Sequence, residues 1–429
     1  MTDSFEHRRG TATVSLRRAD GTPLAHADVV VEQRRHAVAF GCIGFDLVPL
    51  AAAEAGLPST GPGGGDDVFG GAGPDAAADL ADLWLGVFDT ATLPFYWAGF
   101  EPEPGRTDAA RLLAAARWFR DRGVDVKGHP LVWHTLAPEW LRGLPDDELE
   151  ATVRARVRRE TVDFAGLVGT WDAINEAVIM PVFANEEHEN AITRLCRRLG
   201  RVETVRMAVD EARAGDPTAA YVLNDFDMSP AYDRLVEEVL AAGVRVDALG
   251  LQSHMHQGWW GVERTQEVLE RFARHGLPLH LTETTLLSGD LMPPEVEDLN
   301  DHQVDSWPST PEGEERQAEE VVAHYRTLLA HPAVASVTYW GITDRGAWLG
   351  APAGLVRADG TPKPAYDALR SLVRDEWWLV PTTLRTDAAG RVDVSGWAGE
   401  YVVSLPGAGA PEVVLDLPAG TSEVEVVLA

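Results

Sequence analysis

Eight apolar, strand-like runs alternating with amphipathic helical stretches predict an α/β chain built as a (β/α)8 barrel, the TIM-barrel architecture. Two segments of short alternating strands at the chain ends predict a small accessory all-β, sandwich-like domain beside it. The length of 429 residues fits both, because one barrel of roughly 250 to 350 residues leaves room for one small domain. With 45% hydrophobic and 24% charged residues the composition is that of a globular protein with a packed core.

Residues 1–35 form the first β segment. In TATVSLRRADGTPLAHADVVVEQ polar and apolar side chains alternate around Asp20-Gly21, a pair that predicts a hairpin reversal. Residues 36–376 form the barrel, with strands expected near 38–43, 83–93, 125–133, 168–175, 220–224, 248–254, 278–283 and 336–342. Helices are expected at 108–122, 147–164, 263–274 and 314–329, and no G-x-G-x-x-G fingerprint supports the alternative of a doubly wound open sheet. Residues 58–74, rich in Gly, Pro and Ala, read as a flexible loop, and the acidic connection 288–310 as a wall of a site. Residues 377–429 form the second β segment. Two or three strands are marginal alone, so the end segments are expected to pack together as one discontinuous sandwich; two separate decorations are the alternative. Its aromatics, Trp397 and Tyr401, read either as a carbohydrate-binding face or as core.

The balance of 37 basic against 67 acidic residues, a net charge of −30, argues against nucleic acid or an anionic membrane surface as partner. Cys42 and Cys196, far apart in sequence, read as two reduced thiols in packed positions. The opening stretch MTDSFEHRRGTATVSLRRAD has no apolar core of the kind a secretory signal needs, so a cytoplasmic location is expected. No feature sets an oligomeric state.

Polar and ionisable residues gather where the expected strands end, the rim at which barrel enzymes place their sites. His129, Trp133 and His134 end the third strand, Asn175 and Glu176 the fourth, and Asn224 and Asp225 the fifth. Gln252, His254 and His256 close the sixth, Glu283 the seventh, and Trp340 with Asp344 the eighth. Glutamates at the fourth and seventh strand ends face each other across the barrel mouth, and opposed carboxylates are what glycosidic hydrolysis needs: one protonates the leaving oxygen, the other attacks the anomeric carbon or activates water. Asp172 and Asp225 read as structural. The histidine spacings lack the H-E-x-x-H pattern, so neither a metal nor another cofactor is expected.

The runs GHPLVWHTLAPEW (128–140), WDAINEAV (171–178), LNDFD (223–227), LGLQSHMH (249–256), LTET (281–284) and YWGITDRGAW (339–348) together resemble glycoside hydrolase family 10, the family of retaining endo-β-1,4-xylanases. The resemblance spans about residues 35 to 375 with every motif in order. It implies that Glu176 is the acid/base and Glu283 the nucleophile, that His254 hydrogen-bonds Glu283, and that Asn175 holds the sugar 2-hydroxyl. It further implies that His129, Trp133, Gln252, Trp340 and Trp348 line the sugar pocket, with His134 and Asp344 supporting them.

The resemblance breaks at TLPFYWAGFEPEPG (92–105), where the family carries a Glu-Asn-x-x-Lys-Trp segment that grips sugars. Trp97 and the following Glu-Pro and Gly are kept, while Leu93, Pro94, Phe95 and Tyr96 replace the polar contacts. The expected activity is therefore retaining hydrolysis of β-1,4-xylosidic bonds in xylo-oligosaccharides. The alternatives are a β-glycosidase or transglycosylase acting on a different β-glycoside, including one with an apolar aglycone, and a non-catalytic carbohydrate-binding protein.

Overall fold

The computed structural model describes residues 5–62, 74–183, 190–407, 409 and 411–428. Its strands, in chain order, are β1 (Arg9–Arg18), β2 (Asp28–His36), β3 (Ala39–Ile43), β4 (Thr90–Pro94), β5 (Asp125–His129), β6 (Thr170–Asn175), β7 (Ala220–Asp225) and β8 (Ala248–Met255). They continue with β9 (Leu279–Leu286), β10 (Val334–Tyr339), β11 (Thr382–Arg385), β12 (Arg391–Trp397), β13 (Gly399–Ser404), β14 (Glu412–Leu417) and β15 (Gly420–Leu428). Strands β3 to β10 close into one parallel barrel, sealed where β10 pairs with both β9 and β3. Helices lie between successive strands, including Ala109–Arg120, Asp146–Asp163, Gly261–Ala273 and Pro311–Leu329. Since all eight strands run the same way, their C-terminal ends share one rim, which is where the polar strand-end residues collect.

The second barrel strand is shorter than the apolar run around it. The helix Pro74–Leu85 takes up the front of the expected 83–93 strand, and only Thr90–Pro94 is extended. The last helical turn and the strand are both apolar, so hydropathy fuses them although Gly86 and Asp89 separate them in space. The third barrel strand likewise stops at His129, before Pro130, whose missing N–H cannot continue the ladder. Trp133 and His134 thus sit on the loop after it. Of the loop expected at 58–74, residues 63–73 lie outside the described residues.

The chain ends meet. β1 pairs antiparallel with β12 and parallel with β15 in a three-stranded sheet, and the order β11-β2-β13-β14 makes a four-stranded one. Their facing side chains, Val14, Leu16, Val31, Val394, Val403 and Leu415 among them, form a second hydrophobic core. The expected β1–β2 hairpin does not form. The turn at Asp20-Gly21 reverses the chain for one bridge, Arg17 to Pro23, and β2 then crosses to the opposite sheet. The alternation of β1 and β2 buries one face of each, and packing those faces against each other across the sandwich covers more apolar surface than pairing them edge to edge.

The sandwich abuts the N-terminal ends of the barrel strands. Arg8 donates to the carbonyls of Leu329, His331 and Val334, and Trp397 lies among Phe5, His36 and Trp377. Trp397 and Tyr401 are buried, which makes them core and not a sugar-binding face. Cys42 and Cys196 are buried and unbridged. Among the described residues, no helix is long and apolar enough to cross a membrane, and no group of three or more His, Cys, Asp or Glu is placed to hold a metal ion.

Candidate active site

Both glutamates stand in the C-terminal rim. Glu176 follows the last residue of β6 with φ of +59°, a left-handed conformation that a residue with a Cβ adopts at a cost of order 1 to 3 kcal/mol. Its backbone N–H donates to the Asn224 carbonyl at 2.9 Å, which holds the turn. Leu136 and Leu349, two of the other three non-glycine residues at positive φ among the described residues, lie on the loops carrying Trp133 and Trp348. The ladder of β6 also shifts register between Asp172 and Ile174. Such an irregularity re-aims side chains. Asp172 and Asn175, three apart and not two, can then both join the polar network at the barrel mouth.

The Glu176 carboxylate accepts from Trp133 Nε1 at 2.7 Å, and from Gln252 Nε2 and Asn175 Nδ2 at 3.3 Å each. His134 Nε2 is 3.8 Å from it. Burial dominates: it pushes the Glu176 carboxyl up to about 8, the negative charges of Glu283 and Asp225 add to the rise, and the bonds from Trp133 and Gln252 only partly oppose it. Burial also drives His134 down to about 3, so this imidazole is neutral and brings no charge that would ionise its neighbour.

Glu283, three residues before the end of β9, is more completely buried than Glu176 but held the other way. Burial would raise its carboxyl, yet His129 and His254 outweigh it and leave it below the ordinary carboxylate range. His254 Nε2 lies 3.1 Å from Glu283 Oε2, Asn224 Nδ2 donates to Oε1 at 2.9 Å, and His129 Nε2 is 4.0 Å from Oε1. Behind His129, Nδ1 meets Asp172 Oδ2 at 2.7 Å, and Lys127 Nζ pairs with the same oxygen at 2.8 Å. Burial would raise Asp172, but Lys127 and His129 hold it low and therefore charged.

The two glutamates belong to one network. Asn175 Oδ1 accepts from Gln252 Nε2 at 3.0 Å and from Asn224 Nδ2 at 2.7 Å, so each of these amides touches Asn175 and one of the two carboxylates. Thr282 donates to Asn224 Oδ1 at 2.6 Å and fixes that amide's orientation. Of the expected site residues, His129, Trp133, Asn175, Gln252 and His254 all join this assembly. Trp340 is buried edge-on to His129, with ring centroids 5.1 Å apart. Trp348, half-buried, packs on His254 at 4.8 Å. Asp344 touches neither glutamate. It accepts from Lys363 Nζ at 2.7 Å and from the Gly354 N–H at 2.9 Å, closing the loop that bears Trp348.

The contacts of four residues were not read from the sequence. Asn224 bonds the Glu283 carboxylate directly; its place at a strand end was visible, but its partner was not. Lys127 and Asp172 anchor His129, a link that depends on packing between β5 and β6. Tyr96, read as one of the residues that replace the polar contacts, lies with its ring 5.6 Å from both His129 and Trp133. Leu93 and Phe95, read as replacements in the sugar-gripping segment, are instead core, Phe95 against Phe100, Phe164 and Trp171. The kept Trp97 and Glu101 serve the loop itself: Trp97 Nε1 donates to Glu101 Oε2 at 3.0 Å, and Arg159 and the Gly105 N–H bind the same carboxylate. The acidic connection 288–310 docks beside the strand-end aromatics. Its Met292 N–H donates to the His256 carbonyl, and Trp307 lies 6.2 Å from the His256 ring.

Comparison with known proteins agrees with this geometry. The chain is 26% identical over 294 residues to "Endo-1,4-beta-xylanase B" of Thermotoga neapolitana, covering 65% of this chain and 78% of that protein. It is 26% identical over 339 residues to "Anti-sigma-I factor RsgI6" of Acetivibrio thermocellus, covering 77% of this chain and 39% of that protein. The structure of a family 10 glycoside hydrolase from Paenibacillus barcinonensis superposes with a TM-score of 0.61 at 22% identity, over 79% of this chain and 96% of that one, a likeness of fold. The family model described as "Glycosyl hydrolase family 10" matches residues 95–372, which run through both glutamates and most of the barrel, and the chain therefore belongs to glycosyl hydrolase family 10.

Proposed function

We propose that this protein is a retaining, endo-1,4-β-xylanase-like hydrolase acting on β-1,4-linked xylo-oligosaccharides, with Glu176 as acid/base and Glu283 as nucleophile. The observation that carries the reading is the opposite treatment of two buried carboxyls in one hydrogen-bonded network. Glu176 is kept protonated to about 8, and Glu283 is kept ionised. Glycosidic cleavage by double displacement needs that division of labour.

In the first step Glu283 Oε attacks the anomeric carbon while Glu176 gives its proton to the departing glycosidic oxygen. The product is a covalent glycosyl-enzyme and a free alcohol. Forming the ester removes the charge of Glu283, one of the groups that raise Glu176, so the proton affinity of Glu176 falls and, having given up its proton, it stays ionised and available to take one from water in the second step. Asn175 holds a sugar hydroxyl beside the reacting carbon in this reading, supported by the bonds from Asn224 and Gln252 that fix its amide. Trp340 and Trp348 offer apolar faces to the sugar ring. Retention requires the two carboxyl groups to stand about 5 to 5.5 Å apart. The xylosidic preference draws on the relatives' names; the acid and nucleophile assignment draws on the site.

The test is turnover of aryl β-xylosides, aryl β-glucosides and xylo-oligosaccharides, with NMR of the first-formed anomer. The expected result is cleavage of xylosides with the β-anomer appearing first, abolished in Glu283→Ala. An α-anomer as first product would overturn the retaining mechanism, and undiminished turnover by Glu283→Ala would overturn the nucleophile assignment.

A further inference from the structure

Tyr96 stands where the chain departs from its family, and its surroundings give it a task. The Arg156 guanidinium, buried on the helix Asp146–Asp163, donates to the backbone carbonyls of Phe95 and Leu131 and so pins the residue before Tyr96 to the loop leading to Trp133. Thus braced, the Tyr96 ring meets His129 edge-on and lies tilted against Trp133, both at 5.6 Å. Each of those two rings faces a carboxylate: Trp133 donates to Glu176, and His129 Nε2 stands 4.0 Å from Glu283. The Tyr96 ring thus packs on both the indole that holds the acid and an imidazole that faces the nucleophile, near enough for the charges of both glutamates to act on its phenol.

Its chemistry suits a neutral hydroxyl partner. Burial first, then the charges of Glu283, Glu176 and Asp172, hold the phenol far above its ordinary range, so it remains an O–H donor throughout the working pH. Lys127, the lysine in this neighbourhood, is already paired with Asp172.

Resting on the proposed glycosidase reading, we propose that Tyr96 is a substrate-contacting, specificity-determining residue whose phenol O–H hydrogen-bonds one hydroxyl of the sugar held between Glu176 and Glu283. A site built to bond a substrate hydroxyl rejects the analogue lacking it far more strongly than an apolar pocket rejects a missing methylene. Tyr96 therefore selects neutral pyranosides that present a hydroxyl at that point, a contact made by an uncharged donor in place of the family's lysine.

The experiment compares wild type and Tyr96→Phe on an aryl β-xyloside and on each of its monodeoxy analogues. In wild type, kcat/KM should fall at least about tenfold for the analogue lacking the partner hydroxyl. In Tyr96→Phe the parent substrate should lose about as much, while the further loss on that same analogue shrinks toward zero and the ratios for the other analogues stay as in wild type. Each ratio is internal to one enzyme, so a variant that folds less completely still reports the contact. Equal parent-to-deoxy ratios in the two proteins for every analogue would overturn the proposal. Failure of wild type to cleave any aryl β-glycoside would strike the glycosidase reading instead.

Discussion

Glu176 and Glu283 are both buried, yet only Glu176 is held protonated at neutral pH. The difference lies in the neighbours: an indole, two amides and the neutral His134 imidazole at Glu176, against the His254 and His129 imidazoles and an amide at Glu283. The pH dependence follows directly. kcat/KM should be bell-shaped, with an alkaline limb near pH 8, where Glu176 loses its proton, and an acid limb below the ordinary carboxylate range, where Glu283 gains one. The Trp133 bond favours ionised Glu176, so Trp133→Phe should move the alkaline limb upward. His254 favours ionised Glu283, so His254→Ala should also move the acid limb upward. Initial-rate profiles of the three proteins check this, and limbs that stay in place would contradict the assigned neighbours. The two glutamates were legible in the sequence because they sit in short motifs at strand ends. The bond from Asn224 to Glu283 and the inward turn of Tyr96 were not, because each depends on which neighbouring strand or loop a side chain meets.

At the scale of elements, the site is built from residues on β5 to β9 and the loops after the strands, and small side chains make room for them. A Cβ on Gly250 in β8 would come within 2.3 Å of Asn224 Oδ1 and 3.0 Å of Asn224 Cα. Asn224 cannot yield freely, since it binds Thr282, Asn175 and Glu283 at once. Gly250→Ala should therefore cost about 1 to 3 kcal/mol of stability and lower kcat by at least about tenfold by displacing the nucleophile's amide. Gly143→Ala, with open space where its Cβ would stand, should do neither. Denaturant melts and initial rates on the two variants measure both effects. Element order and type could be read from periodicity. The displaced start of the second barrel strand could not, because an apolar helix end and an apolar strand have the same hydropathy. Nor could periodicity tell whether β1 and β2 pair or face each other. Alternation marks a buried face without naming what buries it.

For the whole molecule, the discontinuous sandwich ties the two chain ends together at the barrel rim opposite the glutamates. Trp397 is the main joint. Its ring packs on Phe5 at 5.7 Å, on His36 at 5.7 Å and on Trp377 at 6.4 Å, with the Arg9 guanidinium over it at 4.5 Å. Truncation to alanine should cost about 3 to 5 kcal/mol, the range for a large buried aromatic. KM should stay unchanged, because the joint and the site lie at opposite ends of the strands. Thermal unfolding and substrate titration of Trp397→Ala check this, and a large change in KM would show that the sandwich acts on the cleft. By itself, the sequence determined the alternation of strands and helices, the common rim to which the strand-end residues belong, and the two glutamates, since each is written in local pattern and spacing. Tertiary structure alone decided which glutamate keeps its proton, which amide holds the other, where Tyr96 points, and which sheet each terminal strand joins. Those outcomes depend on desolvation and on contacts between residues tens to hundreds of positions apart, and no local pattern encodes them.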